Sequence, residues 1–497
     1  MIAAPILEIA VLVLGMSILS VEAFTTKIDR RIFAFAGIAG LVLVLVGTFF
    51  IAPDSPTNRL TGLWSFYTAD PLSIFFKRFA LVTTILVLVM MIDYTPVVLK
   101  EARLSSRPED ETGRSESRHS SITLGEFFAL PIFTCAGLMY LVSAIDFIFI
   151  FVALELVTIS FYVLVSFTRK NPITLEAGVK YLVLSALSTG FLVYGITWIF
   201  GATGETNLQR ITGALANPAT EQNAALFGLV LVLVALGFKI AAVPFQIWVP
   251  DVYQGAPTPV TAFLSVGSKA AGFVVLLRVL QPFAILPQTQ RLIVLLAMLT
   301  LIYGNLAALP QSNLKRLLAY SSIAHAGYLL VGVASFDHQA VTYYLTAYLI
   351  MTLLSFAVLI IVAQTTGEQI ADFDGLAQRS PFLAFAMLIG MASLAGIPFT
   401  AGFLGKFFIF YAALAQHQIA LVVVGVITVA CGFYYYLKVV RAMYWPARNS
   451  SVARGQPASR TDYISVSALS RVAISALIIA TIWLGVYPQP ILDALKR

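Results

Sequence analysis

Long apolar runs separated by short polar stretches follow one another along almost the whole chain. A helix crossing the hydrocarbon core needs about 20 predominantly apolar residues. Runs of that kind are read at about 4–24, 32–52, 71–93, 125–143, 146–167, 175–200, 224–248, 258–281, 291–309, 316–335, 340–364, 381–415, 418–444 and 466–487. These fourteen spans leave no room for a soluble domain, and the pattern predicts an all-α polytopic membrane protein. The stretch 105–121 (SSRPEDETGRSESRHSS) is the one low-complexity polar segment. It has no apolar face to bury and reads as a flexible cytoplasmic loop, dispensable for turnover.

Two of the runs are interrupted alike, by AAVPF at 241–245 and by AGIPF at 395–399. They fall in the seventh and twelfth spans, five apart. A repeat of five helices inserts with opposite topology, so an inverted pair covering spans 4–8 and 9–13 is expected. The corresponding units are 1–124 (three helices and the polar loop), 125–281, 291–444, and 445–497 with the last helix. Proline removes a backbone donor, and the freed carbonyls are satisfied by water or polar side chains. Paired interruptions of this kind point to the working site of a transporter. Two ordinary kinks are the plainer alternative.

Composition narrows the class. The 497 residues are 59% hydrophobic and 11% charged, against about 25% charged in an average soluble protein. A soluble enzyme, a coiled coil and a disordered protein are excluded. The net charge of +7 fits basic residues at the cytoplasmic face better than a nucleic-acid patch. With the N-terminus outside, the inner loops hold eighteen Lys and Arg, among them Lys27, Arg30, Arg31, Arg107, Arg169, Lys315 and Arg316. The outer segments hold five, Arg59, Arg210, Arg291, Lys496 and Arg497. That bias places both termini on the outer side. Cys135 and Cys431 lie in apolar runs and read as small core residues. The first run carries Glu8 and Glu22 and precedes Lys27, Arg30 and Arg31, the flanks of a first span rather than of a cleaved signal peptide.

An ionisable residue in mid-membrane costs several kcal/mol, so it usually has a task. Four stand out: Glu155 in the fifth span, Lys239 in the seventh one turn before Pro244, Lys269 in the eighth, and Lys406 after Pro398 in the twelfth. Low-dielectric surroundings disfavour the charged lysine, and a nearby carboxylate restores it. A Glu–Lys pair that opens and closes is therefore a proton switch, with a static buried ion pair as the alternative. Glu176 and Lys180 read as an i,i+4 pair. His325 is either a proton relay or a helix-to-helix hydrogen bond. Lys77, Arg78 and Arg278 read as snorkelling or pairing at interfaces. Asp93, Asp146 and Asp251 read as capping or hydrated helix-end residues, and His119, His338 and His417 as solvated loop residues. No P-loop, GxGxxG, paired haem histidines or cysteine cluster is present, so no cofactor is expected in this chain.

The stretch GFKIAAVPFQIWVPDVYQGAPTPVTAFLSVGSKAAGF (237–273) resembles the signature of the antiporter-like membrane subunits of respiratory complex I. LPQSNLKRLLAYSSIAHAGYLLVG (309–332), SLAGIPFTAGFLGKFFIF (393–410) and VALELVTISFYVLVSF (152–167) resemble further blocks of that family. The resemblance covers roughly 125 to 485. Of the family's three branches, L, M and N, the chain is most similar to subunit N of NADH-quinone oxidoreductase. It ends at the fourteenth span, and it has Lys406 where the M branch resembles it with a glutamate. The equivalent subunit of the ferredoxin-fed photosynthetic complex looks nearly the same. The 105–121 stretch is longer than the family pattern.

The resemblance implies a proton-translocating core membrane subunit that couples quinone reduction to pumping. Glu155 and Lys239 would form the switch, Lys269 the central relay and Lys406 the far one, with His325 a possible further relay. It also implies a multi-pass place in the bacterial plasma membrane among other membrane and peripheral subunits, without nucleic acid. NADH, FMN, iron–sulfur clusters and quinone would be held by partner subunits. A subunit of a multi-subunit sodium/proton antiporter and a membrane scaffold with merely paired charges are the competing readings.

Overall fold

The structure is a computed structural model, and it describes residues 5–24, 31–51, 65–104, 124–445 and 464–494. The 105–121 loop, His119, Lys27, Arg30, Arg59, Arg107, Lys496 and Arg497 lie outside the described residues. In chain order the helices are α1 (Pro5–Phe24), α2 (Arg31–Gly47), α3 (Pro71–Leu104), α4 (Leu124–Ser143), α5 (Phe147–Val165), α6 (Pro172–Thr203), α7 (Leu208–Leu215), α8 (Gln222–Ile240), α9 (Val249–Gly255), α10 (Thr258–Phe263) and α11 (Lys269–Leu280). There follow α12 (Pro287–Ala308), α13 (Leu314–Ala334), α14 (His338–Ala363), α15 (Leu376–Arg379), α16 (Pro381–Ala395), α17 (Ala401–Ala415), α18 (Ile419–Tyr444), α19 (Ala468–Val486) and α20 (Gln489–Ala494). A π-helical turn, Leu264–Ser268, joins α10 to α11.

Among the described residues thirteen helices are long and apolar enough to cross a membrane, α10 and α11 counting as one. The fourteenth expected span is α16 plus α17, each of 15 residues. At about 1.5 Å per residue neither half crosses a hydrocarbon core of about 30 Å alone. The all-α fold and its fourteen crossings thus agree with the hydropathy pattern. The third span runs well past its expected end at 93, since α3 continues through Pro96 to Leu104.

Both broken helices stop before their proline rather than at it. α8 ends at Ile240, four residues before Pro244, and α16 ends at Ala395, three before Pro398. A proline ring clashes with the carbonyl four residues back and biases the preceding residue away from the helix. Ala241 and Gly396 take up the left-handed conformation, with φ of 65° and 90°. Only the second is glycine, the residue that adopts it without strain. Val243–Pro244 is a cis peptide. Hydrogen bonds pin both breaks: Thr300 Oγ1 of the neighbouring α12 accepts from Val243 N at 3.0 Å, and Ser393 Oγ of α16 accepts from Gly402 N of α17 at 3.1 Å. The two broken helices stand five spans apart, so the second enters the membrane from the opposite side, as an inverted pair requires.

Small residues bring key helices into backbone contact, the usual driving geometry where no hydrophobic effect acts between helices. A Cβ on Gly195 of α6 would come within 2.7 Å of the Gly228 carbonyl of α8. Gly304 and Gly327 do the same for α12 and α13, against Ala324 N and Leu301 N. The segment α10–α11 and helices α13 and α14 are enclosed on nearly all sides, whereas α1, α2 and α6 present much of their surface outward. Loops are tied by isolated antiparallel bridges, Tyr67–Ala144, Asp146–Asn207 and Asn313–Gln369.

The weaker sequence readings divide. Asp146 caps α5, accepting from Ile148 N at 2.9 Å. Asp93 lies inside α3 rather than at its end, where its carboxylate accepts from Ser467 and Ser470 at the start of α19. Asp251 bridges Lys180 (2.7 Å) and Arg316 (3.0 Å) instead of being merely hydrated, because the break brings the first turn of α9 against α6 and α13. Glu176 and Lys180 form the expected i,i+4 pair at 2.6 Å. Arg278 pairs with Asp70 at 2.7 Å. Cys135 is buried and Cys431 partly buried.

Candidate functional site

The three central lysines come from three different helices, and all are enclosed. Lys239 is 7% exposed, Lys269 1% and Lys406 5%. A buried ammonium needs hydrogen-bond acceptors to offset lost hydration, and the partner of each is uncharged.

Lys239 occupies the last turn of α8, beside the break. Its Nζ donates to Thr158 Oγ1 of α5 at 2.7 Å and to Ser185 Oγ of α6 at 3.0 Å. Glu155, half-buried on α5, accepts from Thr189 Oγ1 of α6 at 2.7 Å. Glu155 and Thr158 are three residues apart on one helix, Ser185 and Thr189 four apart on the other, so acid and lysine occupy neighbouring rungs of one two-helix ladder. Among the described residues no ion pair joins them.

Lys269 opens α11 immediately after the π-helical turn. Its Nζ donates to the carbonyl of Ser322 on α13 at 2.6 Å and also to that residue's hydroxyl. The same hydroxyl meets Tyr348 of α14 at 3.0 Å and Tyr253 of α9 at 3.2 Å. Ser322 is therefore a junction of four helices.

His325 lies one turn along α13 from Ser322 and is 1% exposed. Both ring nitrogens are engaged, Nδ1 with Tyr344 hydroxyl at 2.6 Å and Nε2 with Tyr436 hydroxyl at 3.1 Å. Tyr436 also bonds Ser321. A neutral imidazole has one donor and one acceptor nitrogen, so one tyrosine donates to the ring while the other accepts from it. Exchanging the tautomer reverses both bonds.

Lys406 sits in the second turn of α17 and reaches back across the break. Its Nζ donates to the carbonyls of Leu394 (2.9 Å) and Ala395 (2.8 Å), the last residues of α16. Helix C-terminal carbonyls lack intrahelical donors and carry the negative end of the helix dipole, so they favour a cation. The ammonium also stands 5.0 Å from the centre of the Tyr328 ring, on α13. Gly396 makes room: a Cβ there would lie 3.1 Å from Lys406 Cδ and 3.3 Å from Nζ.

Sequence reading picked out Glu155, Lys239, Lys269, His325 and Lys406. The structure brings Lys269 of α11 against Ser322 and Lys406 of α17 against Tyr328, on either side of His325 along α13. It adds the hydroxyl partners Thr158, Ser185, Thr189, Ser322, Tyr344, Tyr348 and Tyr436. The one signal for them was Ser321, Ser322, His325 and Tyr328 at helical spacing on a single face. Among the described residues no group of three or more His, Cys, Asp or Glu is placed to hold a metal ion.

A family model described as NADH:quinone oxidoreductase/Mrp antiporter, transmembrane, matches residues 144–432, which include Glu155, Lys239, Lys269, His325 and Lys406. The chain belongs to that family. NADH-quinone oxidoreductase subunit N of Desulforamulus reducens is 37% identical over 495 residues, covering 98% of this chain and 95% of the relative. The same subunit of Trichlorobacter lovleyi is 37% identical, covering 98% and 94%. These matches place the chain in the subunit N branch. Among solved structures, a chain of respiratory complex I from Thermus thermophilus with bound aureothin superposes with a TM-score of 0.78 at 30% identity, covering 98% of this chain and 99% of that one. The Mrp complex of Dietzia sp. gives 0.79 at 20% identity, covering 100% and 96%, which shows a shared fold.

Proposed function

We propose that this subunit N relative is a proton-translocating membrane subunit of an NADH-quinone oxidoreductase, moving protons along Glu155, Lys239, Lys269, His325 and Lys406. The observation that carries the reading is the chemistry of the lysine partners: among the described residues the ammoniums of Lys239, Lys269 and Lys406 are held by hydroxyls or carbonyls and none of the three by a carboxylate. A carboxylate would hold the proton on the nitrogen, and breaking such a buried pair costs about 3–5 kcal/mol. Neutral oxygens impose no such hold, and hydroxyls both donate and accept.

Glu155 and Lys239 stand apart, which is the open arrangement of the proposed switch. Closing it needs the two side chains to leave Thr189 and Thr158 for each other. Between Lys269 and Lys406 the Tyr344–His325–Tyr436 chain carries the proton by tautomer exchange. Quinone reduction elsewhere in the complex supplies the driving energy, and its partner subunits hold NADH, FMN, iron–sulfur clusters and quinone. The units 125–281 and 291–444 act as two inverted half-channels meeting at α13. The protein spans the bacterial inner membrane with both termini on the outer side.

Lys269→Met tests the reading, because methionine keeps the stem and removes the proton. In the assembled complex in vesicles, quinone-linked proton pumping should fall more than about tenfold, the scale on which positioned proton-transfer groups act. Wild-type pumping at matched assembly would overturn it.

A further inference from the structure

The row of lysines does not use the buried charges at the other end of the fold. Glu8 of α1 and Lys77 of α3 form an ion pair at 2.9 Å, with both side chains 0% exposed. Of the two readings its sequence position left open, Lys77 pairs rather than snorkels: it is held inward by a partner 69 residues away. Tyr67 completes a triangle. Its hydroxyl donates to Glu8 Oε1 at 2.8 Å and accepts from Lys77 Nζ. Burial first, and the Glu8 carboxylate second, push the Tyr67 phenol far above its ordinary pKa, so it keeps its proton and bridges. The other carboxylate oxygen, Glu8 Oε2, is buried and has no hydrogen-bond partner among the described residues.

Stability alone does not account for this arrangement. A fully desolvated ion pair is often replaceable by apolar residues without loss, and an unpaired buried carboxylate oxygen calls for an explanation. The triangle lies seven residues along α3 from Asp70, about 10 Å at the helical rise. Asp70 is part-exposed and paired with Arg278 of α11. Residues 66–68 are bonded to the loop before α5, through Ile145 N to the Phe66 carbonyl (3.0 Å) and Thr68 N to the Ser143 carbonyl (2.9 Å). Tyr67 of the triad thus pairs with Ala144 in the loop that leads into α5, the helix of Glu155, and Asp70, three residues on, anchors α11, the helix of Lys269. Tyr140 and Cys135 of α4 are the further titratable groups near Glu8.

We propose that Glu8, Tyr67 and Lys77 form a second proton-transfer site, outside the lysine row, in which a proton passes between the Lys77 ammonium and the Glu8 carboxylate. An N–H bond of Lys77 breaks and an O–H bond forms on Glu8, while the nitrogen keeps the electron pair. The ion pair becomes a neutral amine and a neutral acid, and no proton enters or leaves the triad. The Tyr67 hydroxyl, bonded to both ends, stays in place in either state. The site can therefore respond to the membrane field without bringing net charge into the membrane.

This inference rests on the reading of the chain as proton-moving. Its test is an infrared difference spectrum of the assembled complex in vesicles, with and without an imposed proton gradient. A band from a protonated carboxyl is expected in the wild type, absent in Glu8→Gln and shifted in Tyr67→Phe, which keeps the Glu8–Lys77 pair intact. Coincident spectra for wild type and Tyr67→Phe would overturn the proposal, whether or not Glu8→Gln assembles. The double variant Glu8→Leu with Lys77→Met keeps the site neutral and unable to respond to the field, so it should change how steeply pumping falls against an opposing gradient. A wild-type dependence on the gradient makes the triad a static pin. Failure of the relay reading would show differently, as undiminished pumping in the lysine-row variants.

Discussion

Replacing Lys406 separates its bonds across the broken helix from the proton transfer proposed for it. Lys406→Met removes both hydrogen bonds to the ends of α16, those to Leu394 and Ala395. Hydrogen bonds with a charged donor contribute about 1.5–3 kcal/mol each, so about 3–6 kcal/mol is the ceiling on the loss, reduced by water entering the break. Lys406→Arg keeps donors for both carbonyls. Its guanidinium, however, has a reference pKa about 2–3 units above that of lysine, which leaves about 10²–10³ times fewer deprotonated groups. The arginine variant should therefore melt close to wild type and pump at a small fraction of its rate. The methionine variant should lose both stability and pumping. Thermal melting and quinone-linked proton uptake, measured in vesicles at matched assembly, read the two quantities separately. An arginine variant that pumps at the wild-type rate would refute the argument and leave Lys406 as a positive charge bonding helix ends.

Three further outcomes are expected. Gly396→Ala places a side chain at φ 90° and against Lys406 Nζ, so it should lower stability by about 1–3 kcal/mol and slow pumping, as melting and vesicle assays would show. Tyr344→Phe keeps the ring and removes one of the two bonds to His325; proton transfer should fall about tenfold or more with little change in melting temperature, and unchanged transfer would exclude the tautomer route. The Asp70 carboxyl is raised by burial, yet the Arg278 charge and the Ser73 hydrogen bonds overcome this and hold it below its ordinary value. Its folded pKa is thus below the unfolded one, so the stability it supplies is present above the unfolded value of about 3.9 and is lost as pH falls through the folded value. Asp70→Asn should flatten that acid limb in a series of melts at decreasing pH.

The apolar runs and their two proline interruptions announced the spans and the breaks, and the cost of a charge in a membrane helix singled out Glu155, Lys239, Lys269 and Lys406 as buried charges with partners to find. The partners were not legible. A serine or tyrosine in an apolar run costs little, so Ser322 and Tyr344 do not stand out from Ser335 or Tyr343. Lys406 binds backbone carbonyls, which no side-chain pattern encodes. Glu8 read as a flank of the first span, since nothing local links it to a lysine 69 positions on. The breaks fall where AAVPF and AGIPF interrupt the runs, since each proline ring acts on the carbonyl a turn earlier and ends the helix there.

Helix α13 is a common wall. One face meets Lys269 through Ser322, the next turn holds His325, Tyr328 faces Lys406, and Gly304 and Gly327 lock the helix against α12. A close-packed interior does not compress. Any tilt of this beam that loosens contacts around Lys269 must crowd those around Lys406, and the reverse. Lys269 of α11 and Lys406 of α17 thereby share one rigid support, and a change at either is felt through α13 at the other.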